Sequence, residues 1–224
     1  MEQRTLEWYR ARLGNFTGSC VGKLMGSSRT KGEVFSKTAI SYIYEVAFER
    51  WLDPDMVDDD AKFEEYVYIN NVTTRAMQYG IDMEGKARFE YMALTGNIVD
   101  ECGSVDHPEI EWFSSSPDGL IGDDGCLEIK CLGKKSYMAY LFSDRTSESL
   151  LAINPEYWWQ CQSHMAVTGR KWCDFVVYNP NLSKSKMLVF HIERDEDAIT
   201  KLCERIKLAN DKIDEFAKYD NPND

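Results

Sequence analysis

Apolar and polar positions follow two rhythms along this chain, and the change of rhythm divides it. Leu6, Tyr9 and Leu13 recur at helical spacing and predict a helix over residues 5–13, which Gly14 stops. A short second helix is expected over residues 19–25. Ser36 is a good N-cap for a longer helix running to Trp51, with Ile40, Ile43, Ala47 and Trp51 as its apolar stripe and Asp53-Pro54 as its stop. Residues 73–94 are again helical in pattern, interrupted by Gly80 and Gly85. Beyond them the period shortens from about 3.6 to about 2, the period of a strand. Residues 97–105, 111–121, 126–132, 172–178 and 187–193 are predicted as five strands. Between the third and fourth, Asn154 caps a helix, Pro155 takes its first position and Gly169 ends it. Asp195 caps a last helix carrying Ile199, Leu202, Ile206, Ile213 and Phe216. Strands that are partly adjacent and partly separated by helices imply a mixed sheet with helices against it, an α/β fold in the broad sense.

Glycines 14, 18, 22 and 26 recur every fourth residue, a spacing also found where membrane helices pack. Asn15, Ser19 and Lys23 lie between them, so the segment is read as a soluble, close-packed or loop region. No window approaches the roughly 18 consecutive apolar residues of a membrane span, and the first ten residues are charged and aromatic rather than apolar. A cytoplasmic protein is therefore expected, with no membrane contact. At 224 residues, 43% of them apolar, the chain is expected to form a single domain over 1–224, with residues 220–224 as a disordered tail and 27–32 as the other candidate for disorder. Its seven cysteines are odd in number and include no CxxC pair, which predicts reduced thiols rather than a disulfide framework.

A formal net charge of −12 argues at first against a polyanionic partner. The excess is local, however: residues 51–130 hold 19 acidic and 5 basic side chains, whereas residues 1–50 and 131–190 are each mildly basic. An acidic middle between basic flanks suits a divalent-cation site beside a surface that touches phosphate. Charge alone leaves open that the acid merely solvates a surface.

The chemistry concentrates in Ser116-Pro117-Asp118-Gly119 and Leu127-Glu128-Ile129-Lys130. On a strand Glu128 and Lys130 share one face while Leu127 and Ile129 take the other. Gly122-Asp123-Asp124-Gly125 is a turn signal, so the two segments form a hairpin. A two-residue loop would pair Gly119 with Glu128 and turn Asp118 away; a three-residue loop, or a bulge at Gly125, would set Asp118 opposite Glu128 on the same face. The odd loop or the bulge is predicted. Two neighbouring carboxylates repel and are neutralised best by a hard cation such as Mg²⁺. A lysine on their face can hold a water or a phosphate oxygen, and these are the parts of metal-assisted phosphodiester hydrolysis. Taken singly, each segment is ordinary: a type I turn, and a half-exposed strand with a weak ion pair. Their combination carries the reading.

Pro117-Asp118, nine intervening residues and then Glu128-Ile129-Lys130 resemble the PD-(D/E)xK nuclease signature. Trp8-Tyr9-Arg10-Ala11-Arg12-Leu13-Gly14 with Thr17-Gly18-Ser19, Gly80 followed by Glu84, Ser116 to Leu120, Leu127 to Cys131, Gln160-Cys161-Gln162 and Ile192 to Glu196 are similar, in order, to the phage lambda exonuclease family of viral recombination nucleases. The likeness covers about residues 5–217. It implies a restriction-endonuclease-like mixed five-stranded sheet flanked by helices, and a Mg²⁺-dependent exonuclease (Mn²⁺ substituting) that degrades duplex DNA from 5′-phosphorylated ends. By the same resemblance Asp118, Glu128 and the backbone carbonyl of Ile129 bind the metal, with Glu84 reaching it directly or through water. Lys130 orients the attacking water, Gln160 supports it, and Arg12, Ser19 and Ser116 receive the 5′-phosphate. For His164 a supporting or structural role is expected. The span from Lys130 to Gln160 is somewhat longer than the family pattern, which leaves Lys135 as a candidate DNA contact only. The resemblance also implies a ring-shaped homotrimer and a single-strand annealing protein as partner.

Gly18 to Lys23 has too few residues between its glycines, and Leu24 where Ser or Thr is needed, for a phosphate loop. Three scattered histidines give no zinc site, and no cysteine cluster suits an iron–sulfur group. An endonuclease on the same core, or a DNA-end binding module without turnover, are the alternatives. Retention of both acids and the lysine weighs against the latter.

Overall fold

A computed structural model describes residues 1–71 and 73–218, so the expected tail at 220–224 lies outside the described residues. The chain runs α1 (Leu6–Arg12), β1 (Phe16–Thr17), a 3₁₀ turn (Val21–Met25), α2 (Lys37–Arg50), α3 (Pro54–Asp58), α4 (Asp60–Asn70) and α5 (Arg75–Thr95). It continues through β2 (Val99–Asp100), β3 (Val105–Asp106), β4 (Phe113–Ser115), β5 (Gly119–Ile121) and β6 (Gly125–Cys131). Then come α6 (Lys134–Leu141), α7 (Ser147–Ile153), α8 (Pro155–Thr168), β7 (Trp172–Tyr178), β8 (Met187–Glu193) and α9 (Glu196–Ala217).

The expected mixed five-stranded sheet is present, in the order β2-β5-β6-β7-β8. β6 and β7 run parallel over seven aligned pairs, from Gly125 opposite Trp172 to Cys131 opposite Tyr178, and the other neighbours are antiparallel. A parallel pair needs a crossover, and α6, α7 and α8 supply it. One face of the sheet is covered by α5, whose Ala87 and Tyr91 pack on Leu127, Ile129, Val176 and Tyr178. The other face carries the larger core, built from α2, α8 and α9 with Phe175, Val177, Phe190 and Ile192. From Trp158 to Val167 only Trp159 escapes full burial, so Gln160, Gln162, Ser163 and His164 are polar groups in the interior. Buried polar side chains at this density are held by partners or by function.

The caps at Ser36, Asn154 and Asp195 agree with the single-residue signals, each accepting a backbone N–H at the first turn of its helix, and Gly169 ends α8 at φ +71; Thr5, expected inside the first helix, caps it instead. Several expectations need correction. The segment 111–121 is two strands in two sheets, because Pro117 has no N–H to continue a ladder and β4 joins β1 and β3 in a separate three-stranded sheet. Residues 97–105 likewise divide into β2 and the start of β3. The helix expected over 19–25 is only a 3₁₀ turn. α5 is unbroken at Gly80 and Gly85, each of which costs a helix about 1 kcal/mol and lies against open space. The inner face of α2 is Ala39, Tyr42, Ile43, Val46 and Ala47, turned by one residue from the expected stripe, so Trp51 is exposed. Asp53-Pro54 ends α2 and also starts α3, with Asp53 as its cap.

Candidate active site

The β5–β6 hairpin settles the register question left by the turn signal. Ile121 pairs with Gly125, Leu120 with Cys126 and Gly119 with Leu127, so the loop is the three residues Gly122-Asp123-Asp124. Gly122 adopts φ +51, a left-handed conformation that favours glycine. Continuing that register sets Asp118 opposite Glu128. The Asp118 N–H donates to the Leu127 carbonyl (2.9 Å), and the Asp118 Oδ2 accepts the Ile129 N–H (2.6 Å). The odd loop therefore does what the sequence predicted for it.

Glu128 is only 2% exposed and is held from two sides. Lys130 Nζ lies 2.5 Å from its Oε1 and His164 Nε2 lies 2.7 Å from its Oε2. Burial opposes ionisation of Glu128, but the Lys130 ammonium and the His164 hydrogen bond more than offset it and hold the carboxyl well below the usual range. With Glu128 ionised, His164 donates from Nε2, and its Nδ1 is hydrogen-bonded with the Ser115 hydroxyl at 2.7 Å. Ser115 also lies 3.1 Å from Ser163, which donates to the Gln160 carbonyl. Gly18 packs directly on this group: a Cβ there would fall 1.9 Å from Ser115 Oγ. Lys130 further lies over the Tyr157 ring, 4.9 Å from its centroid. Burial lowers the Lys130 value, but Glu128 and then Asp118 reverse that and raise it, so the side chain is a fixed cation.

Asp118 has the opposite balance. Burial, followed by the charges of Glu128 and Glu84, pushes its carboxyl well above the ordinary value, with only partial relief from Lys130 and the Ile129 N–H. Glu84 reaches this cleft from α5, one turn before Ala87, and is 12% exposed. It is no free surface acid: Arg4 and Arg88 both pair with it, Arg88 at 3.1 Å, and Arg88 also pairs with Glu101. Gln3 fastens the segment before α1 by donating to the Cys102 and Pro117 carbonyls, both at 2.8 Å.

Asp118, Glu128, Lys130, His164, Glu84, Arg4 and Gln3 line one cleft of about 450 Å³, together with Ser116, Ile129, Tyr157, Gln160, Ser19 and Arg12. Arg12 donates to the Ser116 hydroxyl (2.9 Å), as does the Trp8 indole (3.1 Å), and its guanidinium lies 4.1 Å from the Trp8 ring centroid. Burial pulls the Arg12 value down, and its hydrogen bond goes to a hydroxyl rather than a carboxylate. A desolvated cation so placed gains from an incoming anion. Every expected site residue but one thus meets in the cleft. Lys135 is exposed on the first turn of α6 and does not line it. Sequence reasoning left out Arg4 and Arg88. The helical spacing puts Tyr157 and His164 on one face with Gln160 and turns that face toward the site, and all three line the cleft, but it does not reach the bond from His164 to Glu128.

Among the described residues, no three His, Cys, Asp or Glu side chains stand ready as a metal cage. Glu128 is paired with Lys130 and Glu84 with Arg4 and Arg88. The donor set still suits a hard cation: three carboxylates and the Ile129 carbonyl in one cleft, with Asp118 carrying more negative charge around it than its own partners relieve.

A family model for the YqaJ-like viral recombinase domain matches residues 7–171, which span the cleft from Trp8 to His164. The chain belongs to the YqaJ-like viral recombinase family. The alkaline exonuclease LHK-Exo from Laribacter hongkongensis has the same architecture at 31% identity, covering 96% of this chain and 95% of that one with a TM-score of 0.73. The structure of LHK-Exo in complex with dAMP aligns at 32% identity over 97% of this chain and 96% of that one, again at 0.73. A phage-related exonuclease from Haemophilus somnus 129PT, 18% identical over 92% of this chain and 96% of that one, shares the fold at 0.66. No curated protein sequence matches. Family and structural neighbours together make this YqaJ-type chain a nuclease of the lambda exonuclease type. No helix among the described residues is long and apolar enough to cross a membrane.

Proposed function

We propose that the protein is a Mg²⁺-dependent 5′-to-3′ exodeoxyribonuclease. It degrades linear duplex DNA from 5′-phosphorylated ends to mononucleotides and leaves 3′ single strands for recombination by annealing. The observation that carries this reading is the opposition of Asp118 and Glu128 across the hairpin, with Lys130 on the same face and the Arg12–Ser116 pair in the same cleft. That LHK-Exo forms a complex with dAMP, a nucleoside monophosphate, is in keeping with mononucleotide products.

Asp118, Glu128, the Ile129 carbonyl and Glu84 would hold the metal, which when bound polarises the phosphodiester and acidifies water. This chain's own residues do the rest. His164 fixes the Glu128 carboxylate so that one oxygen remains directed toward Lys130. Lys130, a fixed ammonium, orients the attacking water and meets the charge that develops on phosphorus oxygens. Gln160 faces the same space and supports that water. Arg12, Ser19 and Ser116 take the terminal 5′-phosphate through a guanidinium fork and hydroxyls, setting the register of the scissile bond one nucleotide inward. A homotrimeric ring threaded by DNA would make the reaction processive, and an annealing protein would coat the exposed strand.

The test is digestion of one linear duplex labelled on either strand, with 5′-phosphate or 5′-hydroxyl ends, in Mg²⁺ or EDTA, by wild type and Lys130→Ala. Mononucleotide release from the 5′-phosphorylated strand, lost with EDTA and in Lys130→Ala, is the expected result. Cutting of covalently closed circles would favour an endonuclease. A folded wild type that does not cleave in Mg²⁺ would sink the assignment and leave a DNA-end binding module.

A further inference from the structure

We propose that Arg4 is a phosphate-binding residue of the cleft, held by Glu84 while no metal or DNA is present and transferred to the backbone of the strand being cut when Glu84 turns to a cation. The proposal rests on the nuclease reading above and adds a residue that neither the motifs nor the family likeness singled out.

Arg4 stands where two clefts meet. The active-site cleft and a second one of about 550 Å³, between α1, α2 and α4, share Arg4, Trp8, Arg12, Ser19, Met77 and Ile81 along their common wall. A strand that passes from one to the other runs by both arginines.

The backbone there is costly and well anchored. Arg4 adopts φ +67, a left-handed conformation unusual for a residue with a side chain. On one side Gln3 is fastened to the Cys102 and Pro117 carbonyls, the latter next to Asp118. On the other, Thr5 caps α1 by accepting the Trp8 N–H and itself donates to the Glu2 carbonyl. Strain maintained by such anchoring is a mark of a side chain kept in place for a purpose.

The Glu84 carboxylate has one guanidinium more than it needs. Arg88 is four residues away on the same helix, is 12% exposed and is braced by Glu101, so it suffices to hold Glu84. Arg4 is the more exposed of the two, at 36%. Once Glu84 directs its charge to a bound cation, Arg4 faces a like charge and loses its partner. A phosphodiester offers the guanidinium a charge-assisted acceptor in place of the single Glu84 oxygen it leaves.

Arg4→Ala and Arg4→Lys, each alone and in the Lys130→Ala background, test this without relying on turnover. In a thermal-shift titration with Mg²⁺ alone, Arg4→Ala is expected to respond at a concentration several-fold lower than wild type, because a competitor for Glu84 is gone. In the Lys130→Ala background, Arg4→Ala is expected to bind a short 5′-phosphorylated duplex about tenfold more weakly, and the slope of log Kd against log salt is expected to fall by about one. Arg4→Lys keeps that slope. If Arg4→Ala responds only at higher Mg²⁺, Arg4 positions Glu84 rather than competing for it; an unchanged salt slope would likewise overturn the proposal. Should Arg4→Ala melt early in EDTA, Arg4→Gln carries the same comparison. Failure of wild type to cut DNA would defeat the nuclease reading, while the salt slope would still report whether Arg4 meets phosphate.

Discussion

Asp118 and Glu128 face each other across one hairpin, yet they respond to pH in opposite directions. The Asp118 carboxyl is raised by burial and by its acidic neighbours, so in the metal-free protein its contribution is full below the unfolded value near 4 and is lost as pH rises through the folded value. Asp118→Asn is therefore expected to melt above wild type in EDTA at pH 8, with the gap closing toward pH 4, while cleavage is abolished. Equal melting at both pH values would show that Asp118 carries no such penalty. Glu128 is depressed, so its stabilisation is present above the unfolded value and fades only as pH falls into the acid range. His164 is expected to matter through Glu128 alone: His164→Ala should lower single-turnover cleavage about 10- to 100-fold with little change in DNA affinity. A large loss of affinity with unchanged turnover would contradict that role. Asp118, Glu128 and Lys130 were legible in the sequence because eleven residues separate Asp118 from Ile129 and one turn joins their strands. The bond between His164 and Glu128 spans 36 residues and a crossover, and local spacing cannot express it.

Among the elements, those with strong end signals were the easiest to read. Ser36, Asn154 and Asp195 announce helices because a side-chain oxygen at that position satisfies an otherwise unpaired N–H. Of the four helices that were missed, three have weak apolar stripes: α3 buries none, α4 only Phe63 and α7 only Leu150, while α6 is a short helix that buries Tyr137 and Tyr140. The sequences of the first three therefore lack the periodicity that marks an inner face. In the same way β2 and β3 are two residues each, too short to show alternation. The hairpin loop allows the sharpest test at this scale. Deleting Asp123 leaves the two-residue loop Gly122-Asp124 between the same Ile121–Gly125 pair, so Asp118 stays opposite Glu128. The variant is expected to keep cleavage and the Mg²⁺-dependent rise in melting temperature. Loss of both with unchanged far-ultraviolet circular dichroism would show that the turn has stayed three residues long and slipped the register, setting Gly119 opposite Glu128 and Asp118 out of the cleft.

Over the whole molecule the acidic excess serves two ends. Glu84, Asp118 and Glu128 converge in the cleft, whereas Asp53, Asp55, Asp58, Asp59, Asp60, Glu64 and Glu65 are exposed on or beside α3 and α4. The exposed acids fit the reading of a solvated surface, and the three that converge are those a bound cation would need. With acid in such excess over the molecule, few phosphate contacts are expected. Binding of a 5′-phosphorylated duplex is expected to weaken with salt along a shallow log–log slope of about −1 to −3. A slope near zero, measured by fluorescence anisotropy, would remove phosphate contacts from the account.

The two halves of the site do not rest on equal foundations. Glu128 and Lys130 belong to a seven-residue strand paired along its whole length with β7, deep in the sheet. Asp118 immediately precedes a three-residue strand whose outer neighbour, β2, has two residues and forms the sheet margin. Fraying of that margin frees Val99 and Ile121 from the smaller apolar cluster, at a cost below that of melting the larger core. It is nonetheless enough to part the two acids. On warming, the molecule can fall idle while still folded, and recover on cooling, so its thermal inactivation reports the hold on one short strand rather than the collapse of the protein.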